Sequence, residues 1–147
     1  MRNGSLRRIV FSLAICGAFI PFTASADDKD AIEYRQHVMR SLDAQTAVLG
    51  MILSGAIPED NLVSHLDTIA LIAQSSLATF ETKIPGGESD PKVWGQWADF
   101  SARMKAFAEG TAKVAKMAKE QGKDSIMSEL ASALTCKGCH DVYRVKK

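Results

Sequence analysis

The spacing of apolar residues predicts four helices and offers no good strand candidate. In segment A, from about Lys29 to Ser54, apolar side chains recur at intervals of three, four or their sums, the period of one helix face. The positions in this period are Ile32, Met39, Leu42, Leu49 and Leu53. Segment B, from about Asn61 to Glu81, shows the same period. Its positions are Leu62, Leu66, Ile69, Ala73, Leu77 and Phe80.

Two further helical segments follow the loop KIPGGESDP, residues 83–91. Segment C begins with Asp90 as a predicted N-cap and Pro91 at the first helical position, and Gly122 ends it. Its apolar side consists of Trp94, Trp97, Phe100, Met104, Phe107, Val114 and Met117. Asp124 is the predicted cap of segment D, which continues to the C-terminal residues. Four amphipathic helices with short connections predict an all-α fold, an antiparallel four-helix bundle.

The first 26 residues show the order of features of a secretory signal peptide. Three arginines precede an apolar stretch, residues 9–22, that is short for a membrane span, and the small residues Ala24-Ser25-Ala26 follow it. We therefore expect residues 1–26 to be removed on export to the periplasm. Residues 27–147 would then form one domain, with no membrane insertion after cleavage.

Removal of this peptide changes both the charge and the cysteine content of the chain. The peptide contains three of the 18 basic residues and none of the 17 acidic ones, so a small negative net charge remains. Such a charge is not typical of nucleic-acid binding. Cys16 leaves with the peptide, so the mature chain has Cys136 and Cys139. A lipid-modified Cys16 is the alternative, but Ile15 is bulky where such sites require a small residue.

The two remaining cysteines belong to the pentapeptide Cys136-Lys137-Gly138-Cys139-His140, a C-x-x-C-H pattern. This is the pattern of covalent haem attachment, in which each thiol adds to one haem vinyl group and the adjacent histidine can bind the iron. On a helix, Cys136 and His140 are four residues apart and share one face. The motif predicts one covalently attached haem c.

Other interpretations of the two cysteines are less well supported. A thioredoxin-like dithiol requires a βαβ context, which the helical pattern lacks. A zinc site requires about four ligands, and His37 and His65 have no partner at ligand spacing, so we expect both on the surface. A disulfide between Cys136 and Cys139 leaves His140 unexplained. The sequence shows no constellation of general base and nucleophile, so we do not predict an enzyme.

The chain resembles the class II cytochromes c, the family of cytochrome c′. The resemblance covers essentially the whole chain after residue 26, and EYRQHVMRSL, DPKVWGQWADF and TCKGCHDVYR carry it. It implies a four-helix bundle with haem bound near the C-terminal helix. By this resemblance Cys136 and Cys139 hold the haem, and His140 is the proximal iron ligand. Relatives are often dimers, so we expect a monomer or a homodimer.

The resemblance also assigns roles outside the motif. Arg35 matches an arginine near a haem propionate, Met39 matches the distal position, and Arg144 matches a basic residue one turn beyond the proximal histidine. In one branch of the family the distal methionine binds iron, and these proteins transfer electrons to redox partner proteins. We expect this arrangement here, because Arg35 and Met39 lie one turn apart on a helix. The alternatives are a core methionine and a five-coordinate, cytochrome c′-like protein that binds small gases such as nitric oxide.

Overall fold

The structure, a computed structural model, describes residues 27–146 and is all-α over that range. The predicted all-α four-helix bundle is confirmed. The helices are α1 (Asp28–Leu53), α2 (Leu62–Ser76), α3 (Lys92–Gly95), α4 (Trp97–Gln121), α5 (Met127–Ala133) and α6 (Cys136–Tyr143). The first two helices supply two limbs of the bundle, α3 with α4 supplies the third, and α5 with α6 the fourth. The predicted signal peptide, including Cys16, lies outside the described residues.

Local caps explain where several of these helices begin. The Asp27 carboxylate accepts a hydrogen bond from the Lys29 backbone N–H at 2.7 Å and caps α1. The Asp90 carboxylate accepts from the Lys92 N–H at 2.8 Å, so Asp90 does cap the start of segment C. Segment C is nevertheless not continuous, because Gln96 leaves the helical conformation (φ −120°, ψ 42°) and separates α3 from α4.

Segment D also departs from the predicted single helix. A 3₁₀ turn over Lys123–Ile126 precedes α5, so Asp124 lies inside this turn and the predicted cap at Asp124 is wrong. Gly122 follows the last residue of α4, as predicted, and its φ of 80° is a conformation that favours glycine. A second interruption, at Leu134 and Thr135, separates α5 from α6. Because of this interruption, α6 is a separate helix and not a continuation of α5.

The bundle has two separate clusters of buried apolar residues. The larger cluster joins α1, α2, α4 and the α5 region. Its most buried members are Leu49, Ile52, Ile69, Val114 and Ile126. The smaller cluster consists of Phe80, Val93, Phe100, Met104 and Tyr143. It lies beside α6, so the aromatic end of the bundle is also the end that carries the cysteine motif.

No helix within residues 27–146 is both long enough and apolar enough to cross a membrane.

Candidate haem-binding cavity

A cavity of about 770 Å³ lies at the aromatic end of the bundle. Helices α1, α4 and α6 line it, together with the loop before α3. In direct packing, α1 contacts α2, whereas α6 contacts α3 and α4. A volume of this size is in the range of cofactor sites, roughly 300–1,000 Å³. The fold therefore leaves room for a large ligand between its first and last helices.

The cysteine motif forms one side of this cavity. Cys136, Gly138, Cys139 and His140 all line it, and they lie on α6, as the four-residue spacing predicted. Both thiols are free: Cys136 is exposed and Cys139 is half-buried. The predicted attachment residues therefore lie together at one cavity wall, without the disulfide that was an alternative.

The electrostatics of the motif suit ligation better than redox chemistry of the thiols. Burial raises the pKa of Cys139, the opposite of the lowered pKa that activates a thioredoxin-like cysteine. Partial burial, and then the nearby Arg144 guanidinium, lowers the pKa of His140. A lowered pKa keeps the imidazole neutral, which is the form that binds metals.

Arg35 lines the cavity from α1 and is 2% exposed. Its Nη2 donates to the Ile84 carbonyl at 2.7 Å, and its guanidinium stacks 5.4 Å from the Phe80 ring centre and 5.3 Å from that of Trp94. Its Nη1 is buried and has no hydrogen-bond partner. Burial lowers the pKa of Arg35, but an arginine stays charged in proteins. This buried cation therefore has a donor free for an anionic group.

Met39 also lines the cavity from α1. It is half-buried and packs against both apolar clusters. The structure thus brings Arg35, Met39 and His140 to one cavity. His37 is exposed, as expected, whereas His65 is half-buried and its Nδ1 lies 2.7 Å from Gln45 Oε1. Neither histidine lines the cavity.

The loop of residues 83–91 closes one edge of the cavity, a role that the sequence did not indicate. Gly86, with φ 135°, lies against α1, where a Cβ atom would come within 2.7 Å of Ile32 Cδ1. Glu88 lines the cavity and accepts a hydrogen bond from Arg144 Nε at 2.8 Å. Two adjacent glycines in a polar loop were the available signal for a close approach of the backbone.

Sequence reasoning also missed a polar cluster between α4 and α6. The Tyr143 hydroxyl donates to the Asp99 carboxylate, which also accepts from Arg103 Nε at 2.7 Å. Asp99 and Arg103 have the i,i+4 spacing of helical ion pairs, which could have identified that pair. The contact with Tyr143 joins positions 44 residues apart, so no local pattern reveals it.

The chemistry of the lining residues fits a covalently attached haem. Two free thiols and a histidine on one helix face match the attachment motif, and the unpartnered Arg35 Nη1 matches an acidic side group. The apolar part of the wall suits a porphyrin face. Its members are Met39, Leu42, Phe100, Met104 and Phe107. No group of three or more histidine, cysteine, aspartate or glutamate residues within residues 27–146 is arranged to hold a bare metal ion.

Comparisons with known proteins agree with this site. A family model described as Cytochrome C′ matches residues 30–144. Cytochrome c′ from Rubrivivax gelatinosus is 30% identical over 128 residues, which are 80% of this chain and 95% of that protein. Cytochrome c prime from Shewanella frigidimarina has a solved structure with 31% identity and a TM-score of 0.75, covering 83% of this chain and 99% of that one.

A further solved structure is the nitric oxide complex of a variant of cytochrome c prime from Alcaligenes xylosoxidans. It is 25% identical with a TM-score of 0.77, and the match covers 84% of this chain and 99% of that one. Proteins of this family carry covalently attached haem c with its iron, the cofactor that the cavity residues fit. The chain therefore belongs to the cytochrome c′ family and is a haem protein.

Proposed function

We propose that this chain is a periplasmic haem protein that binds a small gas such as nitric oxide at an open axial position of the iron. The composition of the cavity wall carries the proposal. Among the described residues that line it, His140 is the one histidine. The cavity wall as a whole is more apolar than polar, and Leu42, Met104 and Phe107 belong to its apolar part. Such a wall offers a neutral gas an apolar space and no second imidazole.

Each predicted site residue has a distinct part in this proposal. When bound, haem c would supply an iron that can bind an imidazole and a small gas. Cys136 and Cys139 would hold the group, each by adding its S–H across one vinyl group. His140 contributes its neutral imidazole as the proximal ligand, and the free Nη1 of Arg35 donates to a propionate. The apolar side chains of the wall would limit the access of water to the iron and leave space for a small gas.

The nitric oxide complex of the Alcaligenes xylosoxidans variant supports this choice. That protein has the same fold over nearly its whole length. The name cytochrome c′ is also shared by the curated relatives that match this chain. Gas binding, which the sequence offered as the alternative, is therefore better supported than electron transfer with a methionine-bound iron.

A second candidate function has one specific observation in its favour. Met39 lines the same cavity as His140, so its thioether is available to an iron held there. Ligation by Met39 would make the protein a six-coordinate electron carrier. Against this, Met39 packs on both apolar clusters, as a core methionine does.

The absorption spectrum of the ferric holoprotein distinguishes the two functions. An open axial position predicts a high-spin spectrum, and Met39→Leu, which keeps the volume but removes the sulfur, leaves that spectrum unchanged. The ferrous protein should bind nitric oxide and carbon monoxide. As a control, Met51→Leu replaces an exposed methionine outside the cavity and should have no effect in either case.

The opposite result would identify an electron carrier. A low-spin wild-type spectrum that becomes high-spin in Met39→Leu would show that Met39 is the sixth ligand. The proposal would then be withdrawn in favour of electron transfer. We propose no enzymatic bond change for either function. Export with cleavage after Ala26 and exchange of electrons with redox partner proteins remain predictions. The intact mass of the periplasmic protein tests the first of them.

A further inference from the structure

We infer that the hydrogen bond from Tyr143 to Asp99 positions the haem-attachment helix α6, and with it His140, against α4. Asp99 acts through Tyr143, so it is a positioning residue and makes no contact with the haem in this inference. The inference rests on the proposed role of His140 as the proximal ligand. The inference adds that Tyr143 and Asp99 together determine the orientation of the His140 imidazole in the cavity.

Tyr143 makes the most deeply buried side-chain contact between α6 and the bundle. The helix has eight residues, and Tyr143 is the buried one among them. Its ring packs edge-on against Phe100, with the ring centres 5.2 Å apart and the planes at 79°. Tyr143 follows His140 by three residues, so the two side chains are neighbours on the helix surface. A shift of Tyr143 therefore also shifts His140.

The hydroxyl end of Tyr143 is held by α4. It donates to the Asp99 carboxylate, and Gln96 Oε1 lies 3.3 Å from the same hydroxyl. Asp99 is fixed in turn by Arg103 Nε at 2.7 Å, and the Arg103 guanidinium carbon lies 5.9 Å from the Tyr143 ring centre. The hydrogen bond from Tyr143, and then that from Arg103, lowers the pKa of Asp99, so the acceptor stays ionised.

The location of this cluster favours positioning over simple stabilisation. The Asp99 and Arg103 side chains are 51% and 46% exposed, and exposed ion pairs contribute little to stability. Loss of the Tyr143 hydroxyl leaves the ring packing on Phe100 intact. Arg103, Cys139 and Tyr143 nevertheless all line the cavity. Removing the hydrogen bond should therefore alter the orientation of α6 at the cavity while the fold remains.

The test uses the ferric holoprotein and its electron paramagnetic resonance spectrum. The g values depend on the orientation and strength of the axial imidazole in both high-spin and low-spin iron. Tyr143→Phe and Asp99→Ala should each shift the g values, and the double variant should show no larger shift than either single variant. Asp99→Asn keeps an acceptor oxygen for the hydroxyl, so it should give the wild-type g values.

A matched control breaks another polar contact made by α4. Glu129→Ala removes the 2.7 Å ion pair between Lys113 and Glu129, which joins α4 to α5 away from the cavity. It should leave the g values unchanged. Haem content and thermal unfolding of every variant show that the fold is kept, and because Asp99 is exposed, Asp99→Ala should fold even if Tyr143→Phe does not.

Three results would overturn the inference. They are wild-type g values in both Tyr143→Phe and Asp99→Ala, additive shifts in the double variant, and a shift in Asp99→Asn equal to that in Asp99→Ala. The proposed gas-binding function is judged separately, from the spin state of the wild-type protein before any substitution. A low-spin wild type would reject that function and still permit the comparison of g values.

Discussion

Arg144 donates through Nε to the Glu88 carboxylate at 2.8 Å, joining the end of the haem-attachment helix to a loop 56 residues earlier in the chain. Two backbone hydrogen bonds of 2.9 Å accompany this ion pair, from Asp90 N–H to the Tyr143 carbonyl and from Val145 N–H to the Glu88 carbonyl. The loop of residues 83–91 is therefore held to α6 by its backbone as well as by charge. This attachment closes one edge of the cavity.

Substitution of Glu88 should have a small effect on stability. Glu88→Gln weakens a partly exposed ion pair, a type of contact that contributes up to about 1 kcal/mol, while both backbone hydrogen bonds remain. We expect the free energy of unfolding in urea to fall by less than about 1 kcal/mol, and the difference to shrink at high salt. Glu33→Gln, on an exposed pair in α1, is the control. A loss of several kcal/mol would contradict this reasoning.

Removal of both motif thiols should abolish covalent attachment. In the double variant Cys136→Ser with Cys139→Ser, no thioether can form, so any bound haem should be lost on acid–acetone extraction. Absorbance of the extracted protein measures the retained haem. Met39→Leu changes the cavity wall but keeps both thiols, and it should retain its haem in full. Full retention in the double variant would mean that the motif does not attach the cofactor.

The parts of the site that the sequence predicted depend on local spacing. Helix α1 begins at Asp28, one residue before the predicted start. Its start could be predicted closely because apolar periodicity and helix capping involve residues only a few positions apart. Cys136 and His140 share a face for the same reason. Arg35 and Met39 were placed at the haem by the family resemblance, and their appearance in one cavity with His140 agrees with it.

The parts that were missed depend on contacts between distant segments. The loop of residues 83–91 contains ordinary turn residues, and its role follows from where Arg144 lies in space. Asp99 meets Tyr143 because the break at Thr135 redirects α6 toward α4. None of these contacts has a signature in neighbouring residues, since each one depends on the angle between two elements.

Loss of the Arg35 cation should lower both the stability and the reduction potential of the holoprotein. Arg35→Met keeps an apolar stem in the cavity but removes the proposed charge-assisted hydrogen bond to a propionate, a type of bond that contributes about 1.5–3 kcal/mol. We expect the free energy of unfolding to fall by at least about 1.5 kcal/mol. The reduction potential should also fall, because removing a positive charge favours ferric iron. Lys29→Met, at an exposed lysine on the same helix outside the cavity, should lower the free energy of unfolding by less than about 0.5 kcal/mol.

Tyr143 should make stability depend on alkaline pH. The hydrogen bond to Asp99, and then burial, raises the pKa of Tyr143. The folded protein therefore holds this proton more tightly than the unfolded chain, whose tyrosine pKa is about 10. The resulting stabilisation is present below about pH 10 and is lost as the pH rises through the folded value. Between about pH 8 and 11, the free energy of unfolding measured in urea should decline less in Tyr143→Phe and in Asp99→Ala than in the wild type. Tyr34→Phe changes the other tyrosine of the chain, which is exposed, and should keep the wild-type decline. Equal declines in all four proteins would show that the hydrogen bond to Asp99 does not raise the pKa of Tyr143.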